Sequence, residues 1–185
     1  MNFLDKHFGR VGNRMFQSFY LYAQMREGKI PDVYLQDCKY FDKYRDELQA
    51  LLPLEKNDKI SVHIRLGKNP SNPDEPAYAE NPFYVNLTKT DYYRKAMKQF
   101  NGRFVVFSDN LPWCEKQEIF KDCEFAGFNE EDDFKFMAAC SGHIIANSSF
   151  SYMAAYLGGG RTIYPKEWFA DGKQRIGFPS DWIGI

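Results

Sequence analysis

From residue 60 onward, the sequence alternates between short strand patterns and longer helix patterns. Strands are predicted at residues 60–66, 104–108, 143–146 and 162–164, and helices at residues 91–100, 112–120, 130–141 and 150–157. This alternation predicts an α/β fold, with a mostly parallel, Rossmann-type sheet and helices on both faces. Because such sheets bind ligands beyond the carboxyl ends of their strands, polar residues at those ends are the first candidates for a site.

The clearest strand pattern is at residues 60–66, where apolar residues alternate with Ser61, His63 and Arg65. A period of two predicts a strand packed on one face, with His63 and Arg65 on the same side and roughly 7 Å apart. Residues 68–82 are rich in Pro, Asn and Asp. We therefore expect an irregular surface loop there, placed to contact a substrate.

Near the amino terminus, a glycine-containing segment at residues 9–13 leads into a predicted helix. Its apolar positions recur at helical spacing: Met15, Phe16, Phe19, Tyr20 and Ala23. Gly28 is expected to stop this helix, and a further short helix is predicted at residues 42–51. Gly9 and Gly12 would let the backbone approach a ligand closely, although a short GxxG pattern is a weak signal by itself.

Three polar groups fall at the carboxyl ends of predicted strands: His63 with Arg65, Asp109, and Ser148 with Ser149. An arginine fork makes two charge-assisted hydrogen bonds to a diphosphate; the alternative is a surface arginine paired with a carboxylate. The two serines precede a helix, which favours either an anion site or a simple N-cap. Asp109 is suited to accept hydrogen bonds from a guanine edge or a ribose, or to cap the helix near Pro112.

Composition and charge exclude several classes of function. The net charge is −1 and there is no basic run, so the sequence offers no support for nucleic-acid binding. No stretch of about 18 apolar residues predicts a membrane span, and residues 1–8 lack the apolar core of a signal peptide. The four cysteines are scattered, without a CxxC pair, as in a reduced cytoplasmic protein. Exposed aromatic residues would permit a homo-oligomer without requiring one.

The acidic run at residues 130–133 is interpreted as the first turn of a helix that begins after Asn129. Acids there suit the positive end of the helix dipole, and consecutive side chains fan around the axis, so we predict no metal site. HExxH, Walker, GxSxG and DxD motifs are absent from the sequence. Their absence argues against the commonest hydrolases, kinases and metal-dependent transferases.

Five ordered segments resemble motifs of the α-1,2-fucosyltransferases, an inverting glycosyltransferase family. They are residues 9–17 (GRVGNRMFQ), 61–67 (SVHIRLG), 106–109 (VFSD, followed by Trp113-Cys114), 144–151 (IIANSSFS) and 164–169 (YPKEWF). The resemblance covers nearly the whole chain, and five motifs in order are far more specific than any one. It implies a GT-B-like architecture of two facing Rossmann-type lobes, with GDP-fucose in the cleft as donor substrate, no cofactor and no metal.

The resemblance also implies roles for individual residues. Arg65 would be the catalytic residue that holds the β-phosphate, and His63 and Asp109 would serve the guanosine. Two further sets would bind the donor diphosphate: Arg10, Gly12 and Asn13 from the glycine-rich segment, and Ser148, Ser149 and Phe150 before the late helix. The residue types leave the general base unassigned, since Asp5, His7 and Glu75 are eligible by type only.

Two departures from the family pattern bear on the expected organisation. Leu66 stands where the family commonly has a second arginine, and Lys68 stands where it has an aspartate. About fifty residues separate the first two motifs, fewer than in typical members. We therefore predict a reduced amino-terminal lobe at residues 1–57, carrying the glycine-rich loop, and a GDP-sugar-binding lobe at residues 58–185.

The leading hypothesis is transfer of L-fucose from GDP-fucose to a hydroxyl of a glycan acceptor, with inversion at the anomeric carbon. The family's habit points to O2 of galactose. The sequence leaves two alternatives open. One is a GDP-sugar-binding protein with little or no transferase activity, and the other is a transferase that uses another GDP-sugar.

Overall fold

A computed structural model describes residues 11–27, 37–67 and 83–185. The described part contains six α-helices: α1 (Val11–Glu27), α2 (Arg45–Ala50), α3 (Tyr92–Met97), α4 (Leu111–Glu115), α5 (Glu130–Ala139) and α6 (Ser149–Gly158). It also contains six strands: β1 (Ile60–Ile64), β2 (Phe104–Ser108), β3 (Glu124–Phe125), β4 (Gly142–Ile144), β5 (Arg161–Tyr164) and β6 (Ile183–Gly184). The predicted helix stop at Gly28 and the predicted loop at residues 68–82 lie outside the described residues.

The six strands form one sheet in the order β3-β2-β1-β4-β5-β6, and every neighbouring pair is parallel. Helices α1, α5 and α6 pack on one face, and α3 and α4 contribute to a second hydrophobic core on the other. The predicted α/β fold with a Rossmann-type parallel sheet is therefore confirmed. The chain leaves β1 and β4 toward opposite faces, which opens a crevice between their carboxyl ends.

Strand β1 lies in the middle of this sheet, and the prediction that it packs on one face only is wrong. All five of its residues are buried. Val62 and Ile64 enter the core under α3, while Ser61 and His63 face the layer of α6. Polar residues alternate along the strand because this second face buries hydrogen-bonding groups, not because it meets solvent.

Helix α6 is the most enclosed helix of the described part. Its residues from Ser151 to Leu157 are all buried. Phe16 of α1 contacts the ring of Tyr152 with centroids 4.7 Å apart, and Phe41 contacts Tyr156 at 5.2 Å. The described part of residues 1–57 thus shares one hydrophobic core with α5 and α6. The division of the chain at residue 57 stays a prediction.

The ends of α5 and the short strands β3 and β6 agree only in part with the sequence predictions. Asn129 caps α5 as predicted, and its side chain accepts hydrogen bonds from the amides of Glu131 and Asp132 at 3.1 and 3.0 Å. The helix predicted at residues 130–141 ends earlier, at Ala139, and Gly142 begins β4. Strands β3 and β6 escaped prediction, since two residues are too few to show a period.

His143 is a fully buried polar residue at the amino end of the sheet. Its Nε2 lies 2.9 Å from the carbonyl oxygen of Gly159, and its Nδ1 lies 2.8 Å from Ser61 Oγ. A carbonyl only accepts, so Nε2 carries the proton and Nδ1 accepts from the serine hydroxyl. Burial lowers the pKa of His143 to about 4, so the ring stays neutral at pH 7.

Stability is expected to fall as the pH drops from 7 to 5. In that window the unfolded chain protonates the imidazole near pH 6.5, whereas folded His143 does not until about pH 4. The stability that neutral His143 contributes to the fold is therefore present above the pKa of the unfolded imidazole. About 2 kcal/mol of this stability is lost at pH 5. Urea unfolding of the wild type and of His143→Gln at the two pH values measures it. An unchanged pH dependence in the variant would contradict this account.

Candidate active site at the carboxyl edge of the sheet

Arg65 and Asp109 meet where β1 and β2 end. The strands pair His63 with Phe107 and Ile64 with Ser108, so the two residues that follow lie side by side. The Arg65 guanidinium forms an ion pair with the Asp109 carboxylate, and both side chains are mostly buried. The alternative interpretation of Arg65, an arginine paired with a carboxylate, is thus observed. The pair lies within a crevice and not on an open surface.

Asp109 also holds the backbone that leaves β1. Its Oδ1 accepts from the amide of Leu66 at 2.9 Å, and its Oδ2 accepts from the amide of Gly67 at 3.0 Å. Gly67 has φ of 70°, a conformation that disfavours any other residue at this turn. The cap of α4 is Asn110, which accepts from the Trp113 amide at 3.3 Å, so the alternative of Asp109 as helix cap is wrong.

His63 connects the strand that leads to the Arg65–Asp109 ion pair with helix α6. Its side chain is buried, and its ring lies 5.5 Å from the ring of Phe150 between centroids. Within the described part of the chain, its Nδ1 has no hydrogen-bond partner. Burial lowers the pKa of His63 to about 3; Asp109 opposes this shift and Arg65 adds to it. A ring this weakly basic is neutral at pH 7 and is suited to hydrogen bonding, not to removing a proton from a hydroxyl.

Ser148, Ser149 and Phe150 form the beginning of α6. Ser148 is the N-cap, and its Oγ accepts from the amide of Phe150 at 3.3 Å. The simple N-cap interpretation of this serine is therefore correct. All three residues are only half-buried, so the positive end of the helix dipole lies within reach of a ligand in the crevice.

Gly12 brings α1 against this same helix start. A Cβ on Gly12 would lie 2.4 Å from the carbonyl carbon and oxygen of Ser149 and 2.6 Å from the amide nitrogen of Phe150. Only glycine allows the two backbones to approach this closely. Asn13 follows Gly12 and is half-buried, whereas Arg10 lies outside the described residues. Contacts within the described residues thus link Gly12 to the beginning of α6, the beginning of α6 to His63, and the segment of His63 and Arg65 to Asp109.

Replacing Gly12 with alanine is expected to separate α1 from α6, because the new methyl group would overlap backbone atoms that cannot rotate away. We expect a loss of stability of about 1–3 kcal/mol, in the range of overpacked cores, measured by urea unfolding. Gly102→Ala is the matched control, since its Cβ would make an ordinary 3.5 Å contact with Ile60. Equal stability of the two variants would show that the close approach is not required.

The position of Leu66 explains why the site carries one arginine after His63. The Leu66 side chain is 1% exposed and packs in the core under α3. A second arginine here would have to leave that core before it could serve the crevice.

Leu66→Arg is accordingly expected to destabilise the protein and not to add a phosphate ligand. Burying an unpaired charge typically costs several kcal/mol. A thermal melt of Leu66→Arg should show a large fall in Tm. The stability of Leu66→Met should remain within about 1.5 kcal/mol of that of the wild type. A stable Leu66→Arg variant would show that the loop after β1 rearranges freely.

Two supporting residues were missed by the sequence reasoning. Tyr93 is buried and donates from its hydroxyl to the carbonyl oxygen of His63 at 3.1 Å. Asn147 is buried and donates from Nδ2 to the carbonyl oxygens of Val85 and Trp168, at 2.7 and 3.3 Å. For Asn147, its place directly before the two serines was an available signal, but Tyr93 gave none.

Two further observations concern the described ranges only. Among these residues, no group of three or more His, Cys, Asp and Glu side chains is arranged to hold a metal ion. None of the helices in the same ranges has the length and apolar character needed to cross a membrane.

The fold and the site define a Rossmann-like α/β protein with an arginine-containing crevice at the point where the strand order reverses. The profile of glycosyl transferase family 11 matches residues 6–185, and the chain belongs to this family. No solved structure matches the chain significantly.

Three named relatives illustrate the similarity. The α-1,2-colitosyltransferase of Escherichia coli is 32% identical over 177 residues, which cover 81% of this chain and 60% of the relative. The O-antigen biosynthesis glycosyltransferase WbnK of Escherichia coli is 24% identical over 88% of this chain and 62% of its own length. The galactoside α-(1,2)-fucosyltransferase 1 of Saimiri sciureus is 35% identical over 68% of this chain and 38% of its own length. The chain spans less than two thirds of each relative.

Proposed function

We propose that this protein transfers L-fucose from GDP-fucose to a glycan hydroxyl, O2 of galactose, with inversion and without a metal ion. Membership of glycosyl transferase family 11 and the names of the fucosyltransferase relatives support the reaction class. The five ordered motifs, each similar to a segment of α-1,2-fucosyltransferases, support GDP-fucose as the donor.

The observation that carries the proposal is the close packing of Gly12 on the beginning of α6, beside the end of β1. This packing holds the beginning of α6, with the positive end of its dipole, beside His63, two residues before Arg65 on the same segment. A diphosphate has the charge and size for such a site, because it offers several oxygens to both kinds of donor. In this proposal Gly12, Asn13, Ser148, Ser149 and Phe150 surround the diphosphate.

In the proposed reaction, the acceptor hydroxyl attacks the anomeric carbon as the bond to the β-phosphate oxygen breaks. The hydroxyl proton leaves to a base or to solvent, and negative charge develops on the departing GDP. Arg65 contributes most at that moment, because its attraction grows with the developing charge. Asp109 restrains the Arg65 guanidinium in the crevice before the donor arrives. His63 is too weak a base to take the proton, and Asp5, His7 and Glu75 lie outside the described residues.

Removal of the Arg65 guanidinium is expected to lower kcat by roughly 10²–10³, the usual loss for one transition-state donor. The measurement is release of GDP and formation of fucosylated product with a galactoside acceptor, for Arg65→Ala and Arg65→Lys. Arg103→Ala is the matched control, because Arg103 is an exposed arginine in an ion pair with Asp58, just before β2. Undiminished transfer by Arg65→Ala, or an equal loss in Arg103→Ala, would contradict the assigned role.

A thermal-shift panel with GDP-fucose, GDP-mannose, UDP-sugars and GDP tests the donor. A ligand at 100 times its Kd stabilises the fold by about 2.7 kcal/mol, so a preferred donor stands out. We expect GDP-fucose to stabilise most, and transfer to persist in EDTA. Stabilisation without transfer or hydrolysis would identify a GDP-sugar-binding protein instead. Loss of activity in EDTA would overturn the metal-independent form of the proposal.

One comparison favours a second candidate. Because the E. coli relative is named an α-1,2-colitosyltransferase, transfer of colitose in place of fucose is the alternative that the panel should include. Stronger stabilisation by the nucleotide-activated colitose than by GDP-fucose would select it.

A further inference from the structure

Strands β1 and β4 are hydrogen-bonded toward their amino ends and separate where they reach the crevice. Just before the two strands, the amide of Ser141 donates to the carbonyl oxygen of Lys59 at 2.9 Å. A parallel ladder repeats every two residues on both strands, so its continuation would place the amide of Ile145 on the carbonyl oxygen of His63. The pairing ends before that point. The amide of Ile145 donates instead to the carbonyl oxygen of Ile163, on β5, at 3.0 Å.

Two consecutive tyrosines at the beginning of α3 supply hydroxyl groups at this break in the ladder. The hydroxyl of Tyr93 donates to the carbonyl oxygen of His63 at 3.1 Å. The hydroxyl of Tyr92 donates to the carbonyl oxygen of Ile145 at 2.7 Å, and the carbonyl oxygen of Ile163 lies within its reach at 3.1 Å. One turn of α3 thus binds both β1 and the end of β4 at the point where the ladder between them stops. We call Tyr92 and Tyr93 the tyrosine pair.

Packing fixes the phenol rings of the tyrosine pair. Both side chains are buried, and their rings meet edge to face with centroids 5.1 Å apart. The ring of Tyr93 also contacts that of Phe120, at 6.1 Å. Burial raises the pKa of both hydroxyls well above the ordinary tyrosine value, so both stay protonated and able to donate. Because a buried carbonyl group without a partner is costly, these two hydroxyls stabilise the separated arrangement of the strands.

The strand ends that the tyrosine pair binds lead directly into the candidate site. Arg65 follows His63 by two residues and forms the ion pair with Asp109. On the other side, Ser148 follows Ile145 by three residues and is the N-cap of α6. A shift of either strand end therefore changes the distance between the guanidinium and the helix start. In catalysis, a misplacement of about 1 Å can cost on the order of 10² in rate.

We propose that Tyr92 and Tyr93 are positioning residues for the transferase. Their hydroxyls hold the separated ends of β1 and β4 at the spacing that lets Arg65 and the beginning of α6 act on one diphosphate. This inference rests on the proposed function, since the diphosphate is the one that the proposed donor carries. Neither tyrosine needs to touch the donor, because both act through backbone carbonyl groups of the strands.

The test removes the two hydroxyls separately, as Tyr93→Phe and Tyr92→Phe, in assays with GDP-fucose and lactose. We expect each variant to lower kcat roughly 5- to 50-fold and to leave the KM for lactose within about twofold, because the phenyl ring still fills the core while the strand end moves. Tyr156→Phe is the matched control. Tyr156 is buried in the last turn of α6, and its hydroxyl donates to Asp42 Oδ1 at 3.2 Å.

Urea unfolding of the three variants separates stability from rate. We expect comparable losses of stability in all three, and a lower kcat only in the two variants of the tyrosine pair, when rates are compared under conditions where every variant is folded. An unchanged kcat in either of these two variants, or an equal fall in Tyr156→Phe, would overturn the inference.

A spectroscopic measurement separates this inference from the proposed reaction. In ¹H–¹⁵N NMR, the Nε–H resonance of Arg65, assigned by its loss in Arg65→Lys, should move in Tyr93→Phe and stay in place in Tyr156→Phe. If the wild type transfers no fucose but this resonance moves, the reaction is wrong and the positioning of Arg65 by Tyr93 stands. If the resonance does not move in Tyr93→Phe, the positioning role is wrong, whatever the transfer assays give.

Discussion

The packing of α6 between the sheet and the amino-terminal helix is the interaction on which the rest of the structure depends. The residues of α6 from Ser151 to Leu157 are all buried, and its first turn touches the backbone of Gly12 directly. The aromatic contacts of Phe16 and Phe41 hold the rest of α6 from outside. Helices α1 and α6 are far apart in the sequence. Their packing brings Gly12 of the glycine-rich segment to the two serines at the beginning of α6.

The electrostatics of the crevice follow from the same arrangement. The layer that contains α6 also buries His63, which is neutral because its pKa is depressed, so the positive charge at the end of β1 belongs to Arg65. Asp109 balances that charge and binds the amides of Leu66 and Gly67. In the proposed reaction, an incoming diphosphate competes with Asp109 for the guanidinium, and its greater charge favours the exchange. A positioned arginine costs less reorganisation at the transition state than a mobile one.

This member of glycosyl transferase family 11 has two particular features, one at its candidate site and one in its length and core. Leu66 occupies the core, so the arginine after His63 has no arginine neighbour in the next position. The chain also spans less than two thirds of the length of each of the three relatives, and it shares one core between its amino-terminal helices and α6. The proposed donor site lies at the carboxyl edge of the sheet, where Asn147, directly before the cap of α6, binds the carbonyl oxygens of Val85 and Trp168.

The amino-acid sequence by itself determined the fold class and most of the candidate residues. Period-two and helical spacing predicted the strands at residues 104–108 and 162–164 and the capped start of α5, because these features are local. The sheet's central strand was misjudged, since a polar alternation looks the same whether its second face meets water or a buried hydrogen-bonding layer. The role of Asp109 also depended on register, which places it beside Arg65 and two backbone amides.

Only the tertiary structure decided that Gly12 touches the beginning of α6, and that the strand of His63 and Arg65 ends beside it. The sequence singled out Arg65 and offered a carboxylate partner as the rival to a diphosphate ligand. The fold shows that Asp109 is that carboxylate, inside the crevice where the proposal places the donor. Contacts between residues this far apart in the chain have no periodic signal, because they arise from packing of whole elements and not from the conformational preference of any one segment.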